Sequence, residues 1–236
     1  MMQAAYTLHD ELTRRRELLG RMTLLRGCTP AALDDLARRI VVRVRPADTL
    51  ILAQDEPADS LYLIASGSVE VTIVGDSGRE LTVAQLGPGE FFGEQALLPE
   101  TAQVANVNAV DDVTLLLLGR EAFLEHLKLH PATAVNLALT LSRRMATATR
   151  TIGELALENV ESRLVRTLER LARAQGGMTT DGLVLHGRPT HQELASLVGT
   201  CRETITRMLT SLTRRGLLIS RGAQLTLAPA LLRRAA

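Results

Sequence analysis

The stretch "THQELASLVGTCRETITRMLTSL", residues 190–212, decides the fold of the C-terminal part of the chain. It opens with Thr190-His191-Gln192-Glu193, the spacing of a capping box, in which a hydroxyl and a carboxylate satisfy each other's free backbone amides at a helix start. Ten residues on, Thr200-Cys201-Arg202-Glu203 repeats that spacing. Gly199 permits a tight bend between the two starts. The pattern therefore predicts two short helices joined by a turn.

The second predicted helix has two unlike faces. Ile205, Leu209 and Leu212 point to one side, and the opposite side is polar, with Arg202, Glu203, Thr206 and Arg207. A charged helix face is usually only solvated, but this one begins at a helix N-terminus directly after a glycine turn. Arginine can donate two parallel hydrogen bonds to guanine, and a carboxylate can accept one from cytosine N4. The segment therefore predicts a helix-turn-helix.

Two apolar runs follow this helix. Residues 216–220 and 224–227 flank Arg221-Gly222-Ala223, which predicts a hairpin, the wing of a winged helix.

The distribution of charge agrees with a polyanion partner for the C-terminal part. Residues 1–119 carry 10 basic and 17 acidic side chains, whereas residues 120–236 carry 17 basic and 9 acidic ones. From Arg188 onward, eight arginines face only two glutamates. Tryptophan is absent and the other aromatic residues total five, so stacking platforms for single strands are not expected. Double-stranded DNA is the partner that this composition favours.

The N-terminal half reads as an antiparallel β-roll or barrel. Short stretches of alternating or β-branched apolar residues are separated by turn signals such as Ser66-Gly67 and Gly87-Pro88-Gly89. The predicted strands cover residues 40–44, 49–53, 60–65, 68–74, 80–86, 102–110 and 113–118. A helix over residues 31–39 would cap one end. The fold class is therefore α+β.

A long helix is predicted over residues 133–158. Its apolar residues are spaced 4, 3, 4, 3, 4 and 3 apart, at Ala134, Ala138, Leu141, Met145, Ala148, Ile152 and Leu155. This heptad seam predicts a two-helix coiled coil and hence a homodimer, and packing of one helix stripe on its own roll is the alternative. The predicted organisation is a sensor-like roll over residues 1–130, a dimerisation helix over 131–158 and a winged helix-turn-helix over 159–236.

The string "LVGTCRETITRMLTSL" resembles the recognition region of the cyclic-AMP receptor protein (catabolite activator, CRP/FNR) family of bacterial transcription regulators. Roll, long helix and winged module stand in that family's order, so the resemblance covers nearly the whole chain. It implies a regulator that contacts RNA polymerase and reads a palindrome with half-sites resembling TGTGA. By this resemblance the base-contacting residues are Arg202, Glu203 and Arg207, and the phosphate-contacting residues are Gln192, Thr200 and Thr204. Cys201 stands where the family usually has serine, and a thiol at a helix N-terminus could make DNA binding sensitive to oxidation.

The string "GEFFGEQALLPETAQVANV", residues 89–107, resembles the family's phosphate-binding cassette. Gly93 and Glu94 match the positions that hold the phosphate and ribose of a cyclic nucleotide. Gln103-Val104 stand where the family has Arg-Ser or Arg-Thr, and Thr149 matches a hydroxyl that the long helix offers to the purine. Between Arg79 and Arg120 the sequence has no Lys, Arg or His, although it has six acidic residues.

Loss of the cassette arginine would leave a partly buried phosphate unpaired, at a cost of ~3–5 kcal/mol. That is ~100- to 1000-fold or more in affinity. The expectation is therefore a regulator that binds DNA without cyclic AMP and requires no cofactor. An arginine that enters from another loop or from the partner subunit is the open alternative, and with it a cyclic-AMP-dependent activator.

Other functions are disfavoured by what the sequence lacks. No nucleophile–base or phosphate-loop signature predicts an enzyme, so no catalytic residue is proposed. Cys28 and Cys201 are too few for a disulfide framework or a thiolate metal site. A haem or redox sensor that uses His126, His130 or a cysteine remains an alternative, although Lys128 and Pro131 suggest that these histidines lie at an exposed helix end. No signal peptide or membrane-spanning run is present, so a cytoplasmic protein is expected.

Overall fold

The computed structural model describes residues 2–76, 78–157 and 159–232. The chain forms two compact units: Met1–Ile73 with Val83–Thr147, and Val74–Thr82 with Ala148–Ala236. None of the helices within the described residues is long and apolar enough to cross a membrane.

The first unit begins with helices. Helix α1 spans Met2–Gly20, a 3₁₀ turn follows at Thr23–Leu25, and α2 spans Pro30–Arg39. Two sequence features fix the start of helix α2. The Thr29 hydroxyl caps the helix by accepting a hydrogen bond from the amide of Ala32, and Pro30 occupies the first turn. The helix predicted over residues 31–39 is confirmed.

Two four-stranded antiparallel sheets form the predicted roll. The strands are β1 (Val41–Arg45), β2 (Leu50–Leu52), β3 (Ser60–Ser66), β4 (Val69–Val74), β5 (Glu80–Leu86), β6 (Phe91–Phe92), β7 (Asn106–Ala109) and β8 (Val113–Gly119). One sheet has the order β1-β8-β3-β6 and the other β2-β7-β4-β5. Buried side chains that include Ile64, Val69 and Leu115 fill the space next to these strands. The α+β fold class is confirmed.

The cassette region differs from the sequence prediction. The strand expected over residues 102–110 is confined to β7, and the short β6 and a 3₁₀ helix at Glu94–Leu97 precede it. Gly93 ends β6 because it takes a left-handed conformation, with φ 79°. Gln103 lies outside β7, although its backbone amide donates to Glu56 and its carbonyl accepts from Asp55.

Helices α3 (Arg120–Leu129) and α4 (Pro131–Leu157) follow the roll. The long helix begins two residues earlier than predicted because Pro131 suits the first turn of a helix. Glu158, the predicted last residue, lies outside the described residues.

The second unit contains the winged module. Its elements are α5 (Val160–Gln175), β9 (Gly177–Thr179), β10 (Gly182–His186), α6 (His191–Val198), α7 (Arg202–Arg214), β11 (Leu218–Arg221), β12 (Gln224–Leu227) and α8 (Pro229–Leu232). The sheet order is β11-β12-β10-β9, so β11 and β12 are the predicted hairpin. Residues 177–182 contain strand β9 and the turn into β10. Leu164, Leu194, Ile205 and Leu212 are among the side chains buried in one core.

Candidate functional site

The start of α6 is the predicted capping box. The Thr190 hydroxyl accepts from the amide of Glu193 at 3.1 Å, and the Glu193 carboxylate accepts from the amide of Thr190 at 2.5 Å. Gly199 ends the helix in a left-handed conformation, with φ 70°. This geometry lets the chain turn within three residues and start α7, as the sequence predicted.

The second predicted capping box is wrong. Cys201, not Thr200, is the N-cap of α7, and its side chain makes no capping hydrogen bond. The amide of Thr200 instead donates to the carbonyl of Ala195 and so closes the end of α6. The turn therefore uses Thr200, and Glu203 falls at the second helical position instead of the third.

Helix α7 presents the predicted readers on its exposed side. Ile205, Leu209 and Leu212 are buried, whereas Arg202, Glu203 and Arg207 are exposed. Within the described part of the chain, neither arginine forms an ion pair with a carboxylate. A hydrogen bond from its own backbone amide, a second from the Cys201 side chain and the charge of Arg202 lower the pKa of Glu203. Glu203 is therefore ionised near neutral pH and can only accept hydrogen bonds.

The residues matched to phosphate contacts lie at the starts of the same two helices. Gln192 is exposed on the first turn of α6, and Thr200 and Thr204 are half-buried. The Cys201 sulfur lies 3.1 Å from the Thr204 hydroxyl. The structure thus brings the six matched residues to one region of the second unit.

A chain of polar contacts beside these residues was missed by sequence reasoning. Arg188 Nη2 lies 2.8 Å from His191 Nε2, and its Nη1 donates to the Ser220 hydroxyl at 3.3 Å. His191 Nδ1 lies 2.8 Å from the hydroxyl of Thr206, which donates to the carbonyl of Arg202 at 3.0 Å. Arg188, Pro189, Thr190, His191, Gln192 and Arg202 line an open depression of about 610 Å³. The sequence signal that could have pointed to these contacts is His191, which stands at the first position of the predicted helix.

The cassette backbone in the first unit has the close approach that glycine permits. A Cβ atom at Gly93 would lie 2.7 Å from the carbonyl oxygen of Ser60 and 3.0 Å from the ring of Tyr62. Any other residue there would push β3 and the following turn apart.

A cation does lie beside Glu94, although the sequence has none between Arg79 and Arg120, so an arginine enters from elsewhere in the chain. Arg144 reaches the cassette from α4, and its Nη1 lies 3.2 Å from Glu94 Oε2. Its Nη2 donates to the carbonyl of Phe91, and the guanidinium carbon lies 4.5 Å from the centroid of the Phe91 ring. Arg144 gives no local sequence signal, because it lies on α4, 50 residues after Glu94 in the chain.

Gln103 and Val104, which the resemblance matches to the family's Arg-Ser, have opposite environments. Gln103 is buried, with 4% of its surface exposed, and its Nε2 has no hydrogen-bond partner among the residues that the structure describes. Val104 is 59% exposed. Thr149 is an exposed residue of α4 in the second unit. The cassette thus holds an amide where a guanidinium was expected by resemblance.

The residues of the predicted α4 seam differ in how far their side chains are exposed. Met145 and Ile152 are 68% and 66% exposed, and Ala148 is exposed as well. Leu141 packs partly against the core of the first unit, and Leu155 is half-buried. The alternative of a helix stripe on its own roll accounts for Thr133 and Leu137, which are buried, but not for the exposed seam residues.

His126 is not at an exposed helix end as expected. It is buried, its Nε2 lies 3.0 Å from the Thr133 hydroxyl, and Cys28 lies 3.1 Å from that same hydroxyl. Burial, followed by the charge of neighbouring His130, lowers the pKa of His126 to about 4. Within the residues the structure covers, no three His, Cys, Asp or Glu side chains form a group that could hold a metal ion.

Comparisons with known proteins agree with this architecture. Residues 42–130 match the model of the cyclic nucleotide-binding domain, and residues 162–235 match the Crp-like helix-turn-helix domain. The chain is 37% identical over 193 residues to the "Cyclic AMP receptor protein" of Thermus thermophilus, covering 82% of this chain and 86% of that protein. It is 30% identical over 203 residues to the "cAMP-activated global transcriptional regulator CRP" of Escherichia coli, covering 85% and 96%.

A solved structure gives the same result. The c-di-GMP responsive global regulator CLP of Xanthomonas campestris superposes with a TM-score of 0.74 at 30% identity, covering 85% of this chain and 99% of that one. The relatives are transcription regulators, which confirms the prediction that the chain is a regulator and not an enzyme. The chain belongs to the CRP/FNR family of DNA-binding transcription regulators.

Proposed function

We propose that the protein is a cytoplasmic homodimer that reads a TGTGA-like palindrome and binds it without needing cyclic AMP. The observation that carries the DNA part is the exposed face of α7, with two arginines and a glutamate around one helical turn. Arg202, Glu203 and Arg207 are the base readers, and Gln192, Thr200 and Thr204 hold phosphates. RNA polymerase is the further partner by family resemblance.

Unpaired charge on these arginines supports their role. Because neither Arg202 nor Arg207 forms an ion pair within the described part of the chain, both guanidinium groups are available to guanine O6 and N7. The ionised Glu203 complements them as an acceptor for cytosine N4, and each good pair discriminates against the wrong base by ~1–3 kcal/mol.

The exposed seam of α4 supports the homodimer. Met145 and Ile152 leave most of their apolar surface in water, and Ala148 between them allows close approach of a second helix. Leu141 and Leu155 extend this seam at either end. A two-fold dimer would place two recognition helices ~34 Å apart, in successive major grooves.

Independence from cyclic AMP is supported by the charges of the cassette. Arg144 is already engaged by Glu94 and by the carbonyl of Phe91, so the local pair is neutral before any ligand arrives. Gln103 supplies an uncharged amide where the family has arginine. An incoming phosphate would therefore compete with Glu94 for one guanidinium.

A cyclic-AMP-dependent activator is the second candidate, and Arg144 favours it. Its guanidinium lies beside Glu94 and could contribute part of the charge that the cassette lacks. No observation of equal weight favours a haem or metal sensor.

Binding measurements with and without nucleotide decide between these candidates. A TGTGA palindrome and a scrambled duplex are titrated over a salt series, with and without cyclic AMP, and calorimetry measures nucleotide binding directly. We expect a preference for the palindrome that cyclic AMP does not change. Binding that appears only with cyclic AMP would support the second candidate, and equal binding to both duplexes would overturn the assignment of the base readers.

A further inference from the structure

We infer that Arg188 and His191 form a proton-linked phosphate subsite beside the recognition helix, so that binding of duplex DNA takes up a proton at His191. This inference rests on the proposed DNA interface. It concerns Arg188 and His191, neither of which is among the residues matched by resemblance.

The direction of each hydrogen bond in the chain fixes the state of His191 in the free protein. A guanidinium can only donate, so Arg188 Nη2 must donate to Nε2, which therefore carries a lone pair. The proton of the neutral ring is then on Nδ1 and is donated to Thr206, whose own hydroxyl proton goes to the carbonyl of Arg202. Every donor has an acceptor only when His191 is neutral.

Protonation breaks one link of this chain. A proton on Nε2 would place an N–H donor opposite the N–H donor of Arg188, and two positive charges would face each other across the present 2.8 Å contact. Arg188 must then leave His191, whereas the Nδ1 bond to Thr206 can persist. The result is two separate cations at the depression that Gln192 and Arg202 also line.

The surrounding groups favour the neutral ring until an anion arrives. Burial, then the charges of Arg188 and of Arg202 on α7, lower the pKa of His191. The carboxylates on α6 and at the start of α7 have other partners: Glu193 accepts from the Thr190 amide, and Glu203 accepts from its own backbone amide. Strand β11 contributes Ser220, which is uncharged.

A DNA phosphate reverses this balance because it attracts both cations. The pKa of His191 is below its ordinary value in the free protein and rises in the complex, so affinity for duplex DNA increases as the pH falls through this interval. Each unit by which the pKa rises gives up to ~10-fold in affinity per subunit. Each added phosphate contact also steepens the dependence of log affinity on log salt by ~0.9.

His191→Gln is a neutral mimic that tests the inference. The amide oxygen can accept from Arg188 and the amide nitrogen can donate to Thr206, but the side chain cannot take a proton. Affinity for the palindrome and for a scrambled duplex is measured from pH 8 to pH 5.5 at several salt concentrations. His186→Gln is the matched control, since His186 lies in the same unit and its Nδ1 contacts Gln224 at 3.1 Å.

We expect the full-length protein and His191→Gln to bind alike at pH 8. At pH 5.5 the unmodified protein should bind both duplexes ~10-fold or more tightly than the variant, with a salt slope steeper by ~1–2 per dimer. His186→Gln should keep the pH response. An equal pH response in His191→Gln overturns the inference and leaves the proposed function intact, whereas absence of duplex binding at every pH overturns both.

Discussion

The two places where this chain could hold a phosphate differ in what their arginines already do. In the roll, Arg144 is paired with Glu94 and with the carbonyl of Phe91. In the winged module, Arg202 and Arg207 have no carboxylate partner within the described residues. We therefore call the first site closed, because its arginine is already paired, and the second site open, because its arginines are not.

This difference shows that the number of basic residues near a site is a poor measure of its affinity for anions. A guanidinium that is already bonded must exchange one partner for another, and the net gain is small. An exposed arginine gives up water and counterions instead, which is why DNA interfaces depend strongly on salt. His126 and His191 differ in a similar way. His126 is buried in the first unit, whereas His191 lines an open depression in the second.

Opening the closed site should have the largest effect. Gln103→Arg combined with Val104→Ser adds a second cation that Glu94 does not neutralise. We expect the affinity for cyclic AMP, measured by calorimetry, to rise by ~100- to 1000-fold or more, which corresponds to ~3–5 kcal/mol.

A charge added elsewhere on the same roll is the control for this variant. Gln85 is exposed on β5, and Gln85→Arg should leave nucleotide affinity unchanged. If the double variant gains nothing, the cassette register that places Gln103 at the arginine position is wrong.

The enclosed histidine should make the first unit sensitive to acid. The folded pKa of His126 is about 4, below the value of about 6.5 in an unfolded chain, so the unfolded chain binds the proton first as the pH falls. Stability should therefore decrease between about pH 6.5 and 4, by up to ~3 kcal/mol, and not further below. Hydrogen exchange of α3 and α4 measures this loss.

His126→Gln should flatten the pH dependence of exchange in α3 and α4, whatever its effect on stability at neutral pH. His186→Gln, in the second unit, should not. An unchanged acid response in His126→Gln would assign the response to other groups.

Removing one of the arginines on α7 that form no ion pair should weaken DNA binding in a sequence-dependent way. Arg202→Ala should cost ~1–3 kcal/mol and relax the preference at one guanine, measured with duplexes substituted at each position. Arg214→Ala, an exposed arginine in the last turn of the same helix, is the control for charge alone. A uniform loss across all sequences would show that Arg202 contacts only phosphate.

The parts of the fold that follow from local pattern could be predicted from the sequence. The seven predicted strands, the long helix and the α6–α7 turn rest on spacings within about ten residues, and the structure has all of these elements. Strand β6 was missed because two phenylalanines give no alternation. The contact of Arg144 with Glu94 and the burial of His126 were missed. Both depend on where α4 packs against the roll, and no spacing of neighbouring residues predicts that.

The two capping boxes give the smallest expected effect and the clearest test of that limit. Both have the same Thr-x-x-Glu spacing, yet only Thr190 caps a helix, because the amide of Thr200 closes α6. Thr190→Ala should destabilise the second unit by ~1 kcal/mol, within a range of ~0.5–2, whereas Thr200→Ala should stay within ~0.5 kcal/mol. Denaturant unfolding monitored by circular dichroism measures both variants side by side. Equal losses would mean that the Thr200 hydroxyl has a capping role in solution, and the geometry assigned to the start of α7 would then have to be revised.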